Sequence, residues 1–194
     1  MRKQFAGGSE PTSPEELLVM LDQLGIAHTT VKHPAMFTVV ESKKFRVTSS
    51  PGSYTKNLFL RNKKGFMWLI TCSEDRHLDL PSLAAHLQAG RLSFGSAERM
   101  MKYLGVTPGA VSPFTLINDS IGSVSFVIEK ELLNQPMIYL HPLTNTQTTR
   151  IAIQDLFRFV CHTGHPPLCL HFDNLTNTPT AERYATRPLD GTHT

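Results

Sequence analysis

The stretch that decides the fold runs from Ser53 to Ser73 and reads SYTKNLFLRNKKGFMWLITCS. Two runs rich in β-branched, aromatic and aliphatic residues stand on either side of the turn NKKG, which predicts a β-hairpin. The second run, FMWLITC, is apolar on both faces and is therefore expected to be a central strand. In the first run, Lys56, Leu58 and Leu60 share one face of the strand. A lysine on this apolar side either extends its stem toward water or reaches an anion in a cavity.

Local signals predict helices and further strands around this hairpin. In SPEELLVMLDQLG, Ser13 is the expected N-cap, Glu16 completes a capping box and Gly25 ends the helix. Further helices are predicted for TVVESKKF, DLPSLAAHLQ, SAERMMKYLG and IQDLFRFVCHTGH, and further strands for IAHTTVKH, FTLIN, SVSFVIE, MIYLHP, TRIAI and PLCLHF, the last of which is expected to close the sheet. Because hairpins and helices are mixed, we expect one α/β domain with a mixed, curved sheet that forms a partly open barrel.

Length and composition favour one globular domain. The chain has 194 residues and 40% hydrophobic content, enough for a substantial core. We predict a flexible segment at residues 1–12, the domain at 13–173 and a polar, disordered tail at 174–194. Three cysteines argue against a secreted disulfide scaffold, and the chain shows neither an apolar leader nor a membrane-length apolar run. We therefore expect a soluble cytoplasmic protein.

The positive charges are concentrated in one part of the chain. Net charge is only +3, yet the segment from Lys43 to Lys64 carries seven Lys and Arg residues and no Asp or Glu. Such a cluster is either an anion-binding face or an ordinary solvated surface. Besides Lys56, its members are Lys43, Lys44, Arg46, Arg61, Lys63 and Lys64.

Several kinds of catalytic machinery have no signature in the sequence. The chain has no G-x-S-x-G, P-loop, G-x-G-x-x-G or H-E-x-x-H motif. The segment CHTGHPPLCLH could supply metal ligands, but it lacks the C-x2-C spacing of a zinc knuckle. We therefore expect no metal or other cofactor and treat a zinc hydrolase as a weaker alternative. The residues concerned are Cys161, His162, His165, Cys169 and His171.

Three features remain as candidates for a pocket. Lys56 could bind an anion. The loop GAVSP, from Gly109 to Pro113, could present backbone groups at fixed angles, although it could equally be an ordinary connection. His141, at the end of MIYLHP, could orient a ligand or only bond to the nearby backbone. Together they allow a pocket that binds an anion and polarises a bound group without a side-chain nucleophile.

Four segments carry a resemblance to a known family. YTKNLFLRNKKGFMWLI, LGVTPGAVSPFTLIND, IYLHPLTNTQTTRI and DLFRFVCHTGHPP resemble the YbaK-like aminoacyl-tRNA editing domains, in particular the free-standing ProXp-ala (PrdX) subgroup related to the insertion domain of bacterial prolyl-tRNA synthetase. The similarity extends over roughly Pro14 to Asp173. It implies a deacylase that hydrolyses the ester of Ala-tRNA(Pro). It also implies tRNA(Pro) mischarged with alanine as partner and prolyl-tRNA synthetase as a further possible partner, with no role for membranes or DNA.

The resemblance also implies roles for individual residues. Lys56 would hold the 3′-terminal nucleotide through its phosphate, with Asn57 beside it, and His141 would line the pocket. The loop backbone would contact the aminoacyl end through Gly109, Ala110, Val111, Ser112 and Pro113. The segment HPAMF supplies candidate pocket walls, which could equally be core residues: His33, Met36 and Phe37.

Elementary chemistry agrees with this implied activity. Alanine is smaller than proline, so a synthetase pocket shaped for proline cannot exclude it by size, and a second pocket that refuses proline corrects the error. An aminoacyl ester is already activated, so a positioned water can suffice. The alternatives are a deacylase for Cys-tRNA(Pro) or a Ser- or Thr-charged tRNA, and a non-catalytic tRNA-binding module.

Overall fold

The computed structural model describes residues 10–35 and 52–172, together with the backbone of residues 182–183. Its first helix, α1 (Pro14–Gln23), confirms the predicted capping box. The Glu16 backbone N–H donates to the Ser13 hydroxyl at 3.2 Å, and the Ser13 N–H donates to the Glu16 carboxylate at 2.7 Å. Gly25 ends the helix region at φ +63°, a backbone conformation that favours glycine.

The described residues form four α-helices, two short 3-10 helices and nine strands. The other α-helices are α2 (Leu80–His86), α3 (Ala97–Leu104) and α4 (Ile153–His162), and the 3-10 helices span Pro113–Asn118 and Lys130–Asn134. The strands are β1 (His28–Lys32), β2 (Ser53–Arg61), β3 (Met67–Ser73), β4 (Ser93–Phe94), β5 (Val124–Glu129), β6 (Met137–Leu140), β7 (Gln147–Ala152), β8 (Leu168–Leu170) and β9 (Glu182–Arg183).

The strands form one mixed sheet with the predicted hairpin at its centre. The order is β1-β7-β6-β2-β3-β5-β8-β9, and β4 pairs separately with β2. β2 and β3 are antiparallel, whereas β2 pairs in parallel with β6 and β3 in parallel with β5. In the described part of the chain, the path does not close on itself. The predicted single α/β domain with a mixed, partly open sheet is therefore confirmed.

Alternate side chains of the sheet enter two separate apolar clusters. On β2, Phe59 belongs to the larger cluster and Leu60 to the smaller one. The larger cluster packs α1, α4 and the first 3-10 helix against the sheet, whereas the smaller one includes Leu83 of α2. Since Leu58 also packs against the smaller cluster, Lys56 lies on that same face.

Two predicted strands differ from the structure. FTLIN is a 3-10 helix, because the Ser112 hydroxyl accepts a hydrogen bond from the Phe114 N–H at 3.3 Å and Pro113 starts the turn. Its buried residues are consecutive, which an alternating strand does not produce. PLCLHF contains β8, but β8 does not end the sheet, since β9 pairs with its outer side.

Some predictions fall outside the described residues. These are the helix in TVVESKKF, the flexible segment before residue 10 and most of the predicted tail, in which only Glu182–Arg183 is described. Within the described ranges, no helix has the length and apolar character needed to span a bilayer.

Candidate active site

The sheet opens where β2 and β6 separate. These parallel strands pair only at Ser53 with Ile138 and Tyr54 with Tyr139, and the two tyrosine rings stack at 4.3 Å. Beyond this pair, the Thr55 hydroxyl donates to the Tyr139 carbonyl at 3.1 Å. β6 ends one residue later, while β2 continues to Arg61. The end of β6 therefore borders a gap in the sheet.

The GAVSP loop is fastened to this end of β6. The Ser112 hydroxyl, which is fully buried, donates to the His141 carbonyl at 2.6 Å. Ala110 and Val111 are buried in the larger cluster, so their side chains anchor the loop. Gly109 is exposed and has a φ of +94°, a backbone conformation that residues other than glycine rarely adopt. The loop thus combines a fixed base with a backbone segment at the surface.

A tight turn orients the His141 ring. Its Nδ1 lies 2.8 Å from the Gln147 carbonyl, and because a carbonyl only accepts, Nδ1 is the nitrogen that carries hydrogen. In the neutral ring Nε2 is then left with a lone pair. Leu143 donates its N–H to the His141 carbonyl and adopts φ +60°, a strained conformation for leucine. Such strain persists only where surrounding contacts impose it.

Burial determines the charge of His141. It lowers the pKa of this imidazole below its ordinary value; the hydrogen bond to the Gln147 carbonyl raises the pKa, and the neighbouring His33 lowers it. The net direction is downward, so the ring is neutral at physiological pH.

The ring of His33 lies beside that of His141. Its ring centroid lies 6.0 Å from that of His141, with the planes tilted by 55°. The His33 ring is held by the Thr148 hydroxyl, 2.8 Å from Nε2, and by the Pro34 carbonyl, 2.8 Å from Nδ1. The structure therefore brings His33, His141 and the GAVSP loop together. Met36 and Phe37 lie outside the described residues.

Lys56 lies on the face of β2 that packs on the smaller cluster. It pairs in register with Cys72, and its ammonium donates to the backbone carbonyl of Arg76 in the turn after β3. The lysine is half-buried and is not extended into bulk water. The apolar face thus directs this ammonium to a backbone oxygen at the rim of the sheet.

Asn57 points to the opposite side from Lys56. Its side-chain oxygen accepts a hydrogen bond from the Thr71 hydroxyl at 2.7 Å, and Thr71 is fully buried. By strand alternation Asn57 shares its face with Phe59 of the larger cluster, which also contains Ala110 and Val111. Lys56 and Asn57, consecutive residues of β2, therefore point to opposite faces of the sheet.

The remaining basic residues lie at the far end of β2. Arg61 is the last residue of the strand, about 17 Å along it from Lys56, and exposed Lys63 and Lys64 form the hairpin turn. These cations cannot hold the same phosphate as Lys56. The predicted basic residues Lys43, Lys44 and Arg46 are outside the described ranges.

The five candidate metal ligands take separate positions. His165 Nε2 lies 3.1 Å from the buried Asp119 carboxylate, and His171 Nδ1 lies 2.5 Å from Glu131. Cys169 is buried, while Cys161 is half-buried near the end of α4. Residues 10–35 and 52–172 contain no group of three or more His, Cys, Asp or Glu residues arranged to hold a metal ion.

Sequence reasoning missed two polar residues beside Lys56. Glu129, at the end of β5, is only 1% exposed, and its carboxylate lies 2.5 Å from Nε of Arg76. Arg76 follows β3 by three residues and provides the carbonyl that Lys56 contacts. One signal was available: a glutamate directly follows the apolar run FVI, on the same face as buried Val127.

The arrangement is that of a mixed α/β domain with a neutral histidine and a rigid backbone loop at a gap in its sheet. The family model described as "Aminoacyl-tRNA editing domain" matches residues 33–159. This range contains His33, β2, the GAVSP loop and His141, and the chain belongs to the aminoacyl-tRNA editing domain family. The predicted resemblance is therefore confirmed.

Relatives and a solved structure agree with this family. The prolyl-tRNA editing protein ProX of Acetoanaerobium sticklandii is 34% identical over 152 residues, covering 78% of this chain and 92% of that protein. The prolyl-tRNA synthetase associated domain-containing protein 1 of Bos taurus is 37% identical over 168 residues, covering 81% and 96%. A crystal structure of a candidate trans-editing enzyme for prolyl tRNA synthetase shares the fold, with a TM-score of 0.60, 21% identity and coverage of 84% and 99%.

Proposed function

We propose that the protein is a cytoplasmic deacylase that hydrolyses the ester of Ala-tRNA(Pro) and spares Pro-tRNA(Pro). The observation that carries this proposal is the 2.6 Å hydrogen bond from Ser112 to the His141 carbonyl. It joins two motif segments of the editing family at the gap between β2 and β6. The names of the relatives, a prolyl-tRNA editing protein and a prolyl-tRNA synthetase associated protein, support prolyl-tRNA as the substrate class.

In the proposed reaction, the enzyme positions a water beside an ester that is already activated. The exposed backbone at Gly109 contacts the aminoacyl end, and N–H groups of the loop stabilise the oxyanion that develops on the ester carbonyl. The attacking water adds to that carbonyl carbon, the bond from this carbon to the ribose oxygen breaks, and the ribose oxygen takes up the proton that the water loses. The substrate's neighbouring ribose hydroxyl helps to orient the water.

His141 orients the substrate in this mechanism. Its Nδ1–H is engaged with the Gln147 carbonyl, so the neutral ring offers the Nε2 lone pair to a donor, such as a ribose hydroxyl or the amino group of the substrate. Because burial lowers the pKa of His141, the ring keeps this acceptor role at physiological pH.

Lys56 binds the terminal phosphate. An ammonium has three N–H donors, and among the described residues the Arg76 carbonyl is a hydrogen-bond acceptor for one of them. A phosphate oxygen can therefore bind at the rim without displacing that contact. Asn57, on the adjacent face, supports the strand at this point through its hydrogen bond from Thr71.

Selectivity against proline comes from pocket size. His33 and His141, with ring centroids 6.0 Å apart, form a close wall beside the loop. Met36 and Phe37, which lie outside the described residues, are further proposed contacts of the substrate. Because the wall is fixed, the pocket admits the methyl group of alanine more readily than the larger pyrrolidine ring of proline. Because the walls are held by Thr148, Gln147 and Ser112, the pocket cannot widen at low cost.

The distant cations bind another part of the same tRNA. Lys63, Lys64 and Arg61 lie too far from Lys56 to share its phosphate but within the span of an acceptor stem. Together with Lys43, Lys44 and Arg46, they raise the association rate of a polyanion. The synthetase named in the relatives is a possible docking partner during this step.

A deacylation panel tests this proposal. Purified protein is incubated with Ala-, Cys-, Ser- and Pro-tRNA(Pro), and loss of each ester is followed over time. The expected result is rapid loss of the alanyl ester and persistence of the prolyl ester. Preferential loss of the cysteinyl or seryl ester would assign a sibling editing activity. Salt-sensitive tRNA binding with every ester intact would instead define a non-catalytic tRNA-binding module.

A further inference from the structure

A row of polar residues crosses three neighbouring strands on the face that carries Lys56. Lys56 of β2 is paired with Cys72 of β3, and the parallel register of β3 with β5 continues this row to Glu129. Strands are spaced by about 4.8 Å, so the lysine and glutamate backbones lie about 10 Å apart. The face therefore holds a cation and a buried carboxylate at its two ends, with a thiol between them.

Arg76, in the turn after β3, contacts the residues at both ends of this row. Its guanidinium Nε donates to Glu129 Oε1 at 2.5 Å, while its backbone carbonyl accepts the ammonium of Lys56. The other carboxylate oxygen, Oε2, accepts the Ser73 N–H at 2.6 Å. Glu129 thus holds both ends of the 73–76 turn, and that turn presents the oxygen that receives Lys56.

The charges of the cluster have a direct consequence for Lys56. Glu129 is 1% exposed, and a buried carboxylate needs a cationic partner. Arg76 is that partner, so the carboxylate does not compete for Lys56.

The thiol between them acts as a neutral spacer. Burial raises the pKa of Cys72 to about 12; Lys56 and Arg76 lower this pKa by smaller amounts, and Glu129 adds to the increase. The thiol is therefore uncharged at physiological pH and adds nothing to the charge of the row. The influence of all three charged groups on Cys72 agrees with their arrangement around it.

We propose that Arg76 and Glu129 are positioning residues that keep Lys56 available for the terminal phosphate of the substrate. Arg76 neutralises the buried carboxylate and supplies the carbonyl that fixes the direction of the lysine. Without Arg76, Glu129 attracts Lys56 away from the rim. The inference rests on the proposed function for the identity of the substrate, but the geometry of the cluster does not depend on it.

The first test measures anion binding without catalysis. Binding of the RNA trinucleotide CCA, which carries the 3′-terminal phosphate, is compared in wild type, Lys56→Ala, Arg76→Ala and the double variant Arg76→Ala/Glu129→Gln. We expect Arg76→Ala to weaken binding by about tenfold, and the double variant to recover most of that loss because the competing carboxylate is gone. Arg76→Lys, which keeps the charge, should lie between wild type and Arg76→Ala.

Controls separate positioning from folding. Arg158→Ala removes an exposed arginine that pairs with Asp155 on α4 at 2.8 Å, and it should leave CCA binding unchanged. The melting temperature of each variant is measured, since removing one partner of a buried pair destabilises the fold. Equal affinity of wild type and Lys56→Ala for CCA would overturn the inference, as would a double variant that binds no better than Arg76→Ala.

The second test uses the reaction. Arg76→Ala should raise KM for Ala-tRNA(Pro) by about tenfold with kcat within about twofold of wild type, and the double variant should reverse the KM change. A loss in kcat with unchanged KM would contradict the positioning role. If wild type hydrolyses no aminoacyl-tRNA, the proposed function fails, while the CCA series still decides the role of Arg76 and Glu129.

Discussion

The gap in the sheet is bordered by two faces that carry different chemistry. The first is the face of β2 that packs on the smaller cluster, where Lys56 lies beside Arg76 and Glu129, a charged group at the rim. The second is the face at the end of β6, where the GAVSP loop and His141 form a neutral, hydrogen-bonded wall. In the proposed mechanism, the charged face binds the terminal phosphate and the neutral face positions the ester.

The largest expected effect comes from removing the charge of the first face. Lys56→Ala should reduce deacylation of Ala-tRNA(Pro) to near the uncatalysed background at limiting enzyme, because the terminal phosphate loses its cation. Initial rates of ester loss measure this. The matched control is Lys102→Ala, which removes an exposed lysine of α3 and should retain full activity. Full activity in Lys56→Ala would remove the lysine from the site.

The next largest effect comes from loosening the second face. Ser112→Ala deletes the 2.6 Å hydrogen bond to the His141 carbonyl and the cap on the Phe114 N–H. We expect the maximal rate to fall by up to about 100-fold, since small misplacements of positioning groups have such effects. The free energy of unfolding should fall by about 1–3 kcal/mol, measured by urea denaturation. An unchanged rate in a less stable variant would show that the loop is only a connection.

The third effect concerns the charge of His141. Because its pKa is lowered in the folded protein, the unfolded chain binds the proton first as the pH falls below about 6.5. The free energy of unfolding should therefore decrease with acidification below that pH, and His141→Asn should reduce this dependence. In the proposed mechanism the ring orients the substrate and takes no proton from the water, so the variant should keep measurable activity. A steep loss of single-turnover rate with unchanged tRNA affinity, in this variant or in His141→Ala, would instead make His141 a general base.

The smallest effect is expected at the far end of β2. Lys63→Ala/Lys64→Ala should weaken tRNA binding a few-fold. The slope of log affinity against log salt concentration should become shallower by the amount that corresponds to about two phosphate contacts. Binding measured at several salt concentrations gives this slope. Hydrolysis at saturating enzyme should not change, because these residues are remote from the gap. A fall in the saturating rate would show that the two ends of β2 act on the same part of the substrate.

Local signals were sufficient for much of the fold. The capping box at Ser13, the hairpin turn and the glycine that ends α3 at φ +68° each depend on residues close in sequence. The 3-10 helix was missed, because Ser112 and Pro113 override the strand tendency of FTLIN. The parallel pairing of β2 with β6 links segments more than 80 residues apart, and no local pattern specifies it.

Only part of the candidate site was predictable from the sequence. The alternation of side chains along a strand predicted the face on which Lys56 lies. It did not predict the hydrogen-bond acceptor of Lys56, because the Arg76 carbonyl belongs to a turn that no side-chain pattern describes. The pair of Arg76 with Glu129 spans 53 positions and was not found from sequence. His33 and His141 were named separately as site residues, and only the pairing of β1 and β6 with β7 brings their rings together.

The most direct test of the division between the two faces is single-turnover hydrolysis of Ala-tRNA(Pro) over a range of enzyme concentrations. Wild type, Lys56→Ala and Ser112→Ala are compared under identical conditions. We predict that Lys56→Ala requires far more enzyme for half of its maximal rate, whereas Ser112→Ala keeps the half-saturating concentration of wild type and has a lower maximal rate. Equal changes of the same kinetic parameter in both variants would contradict the separation of phosphate binding from ester positioning.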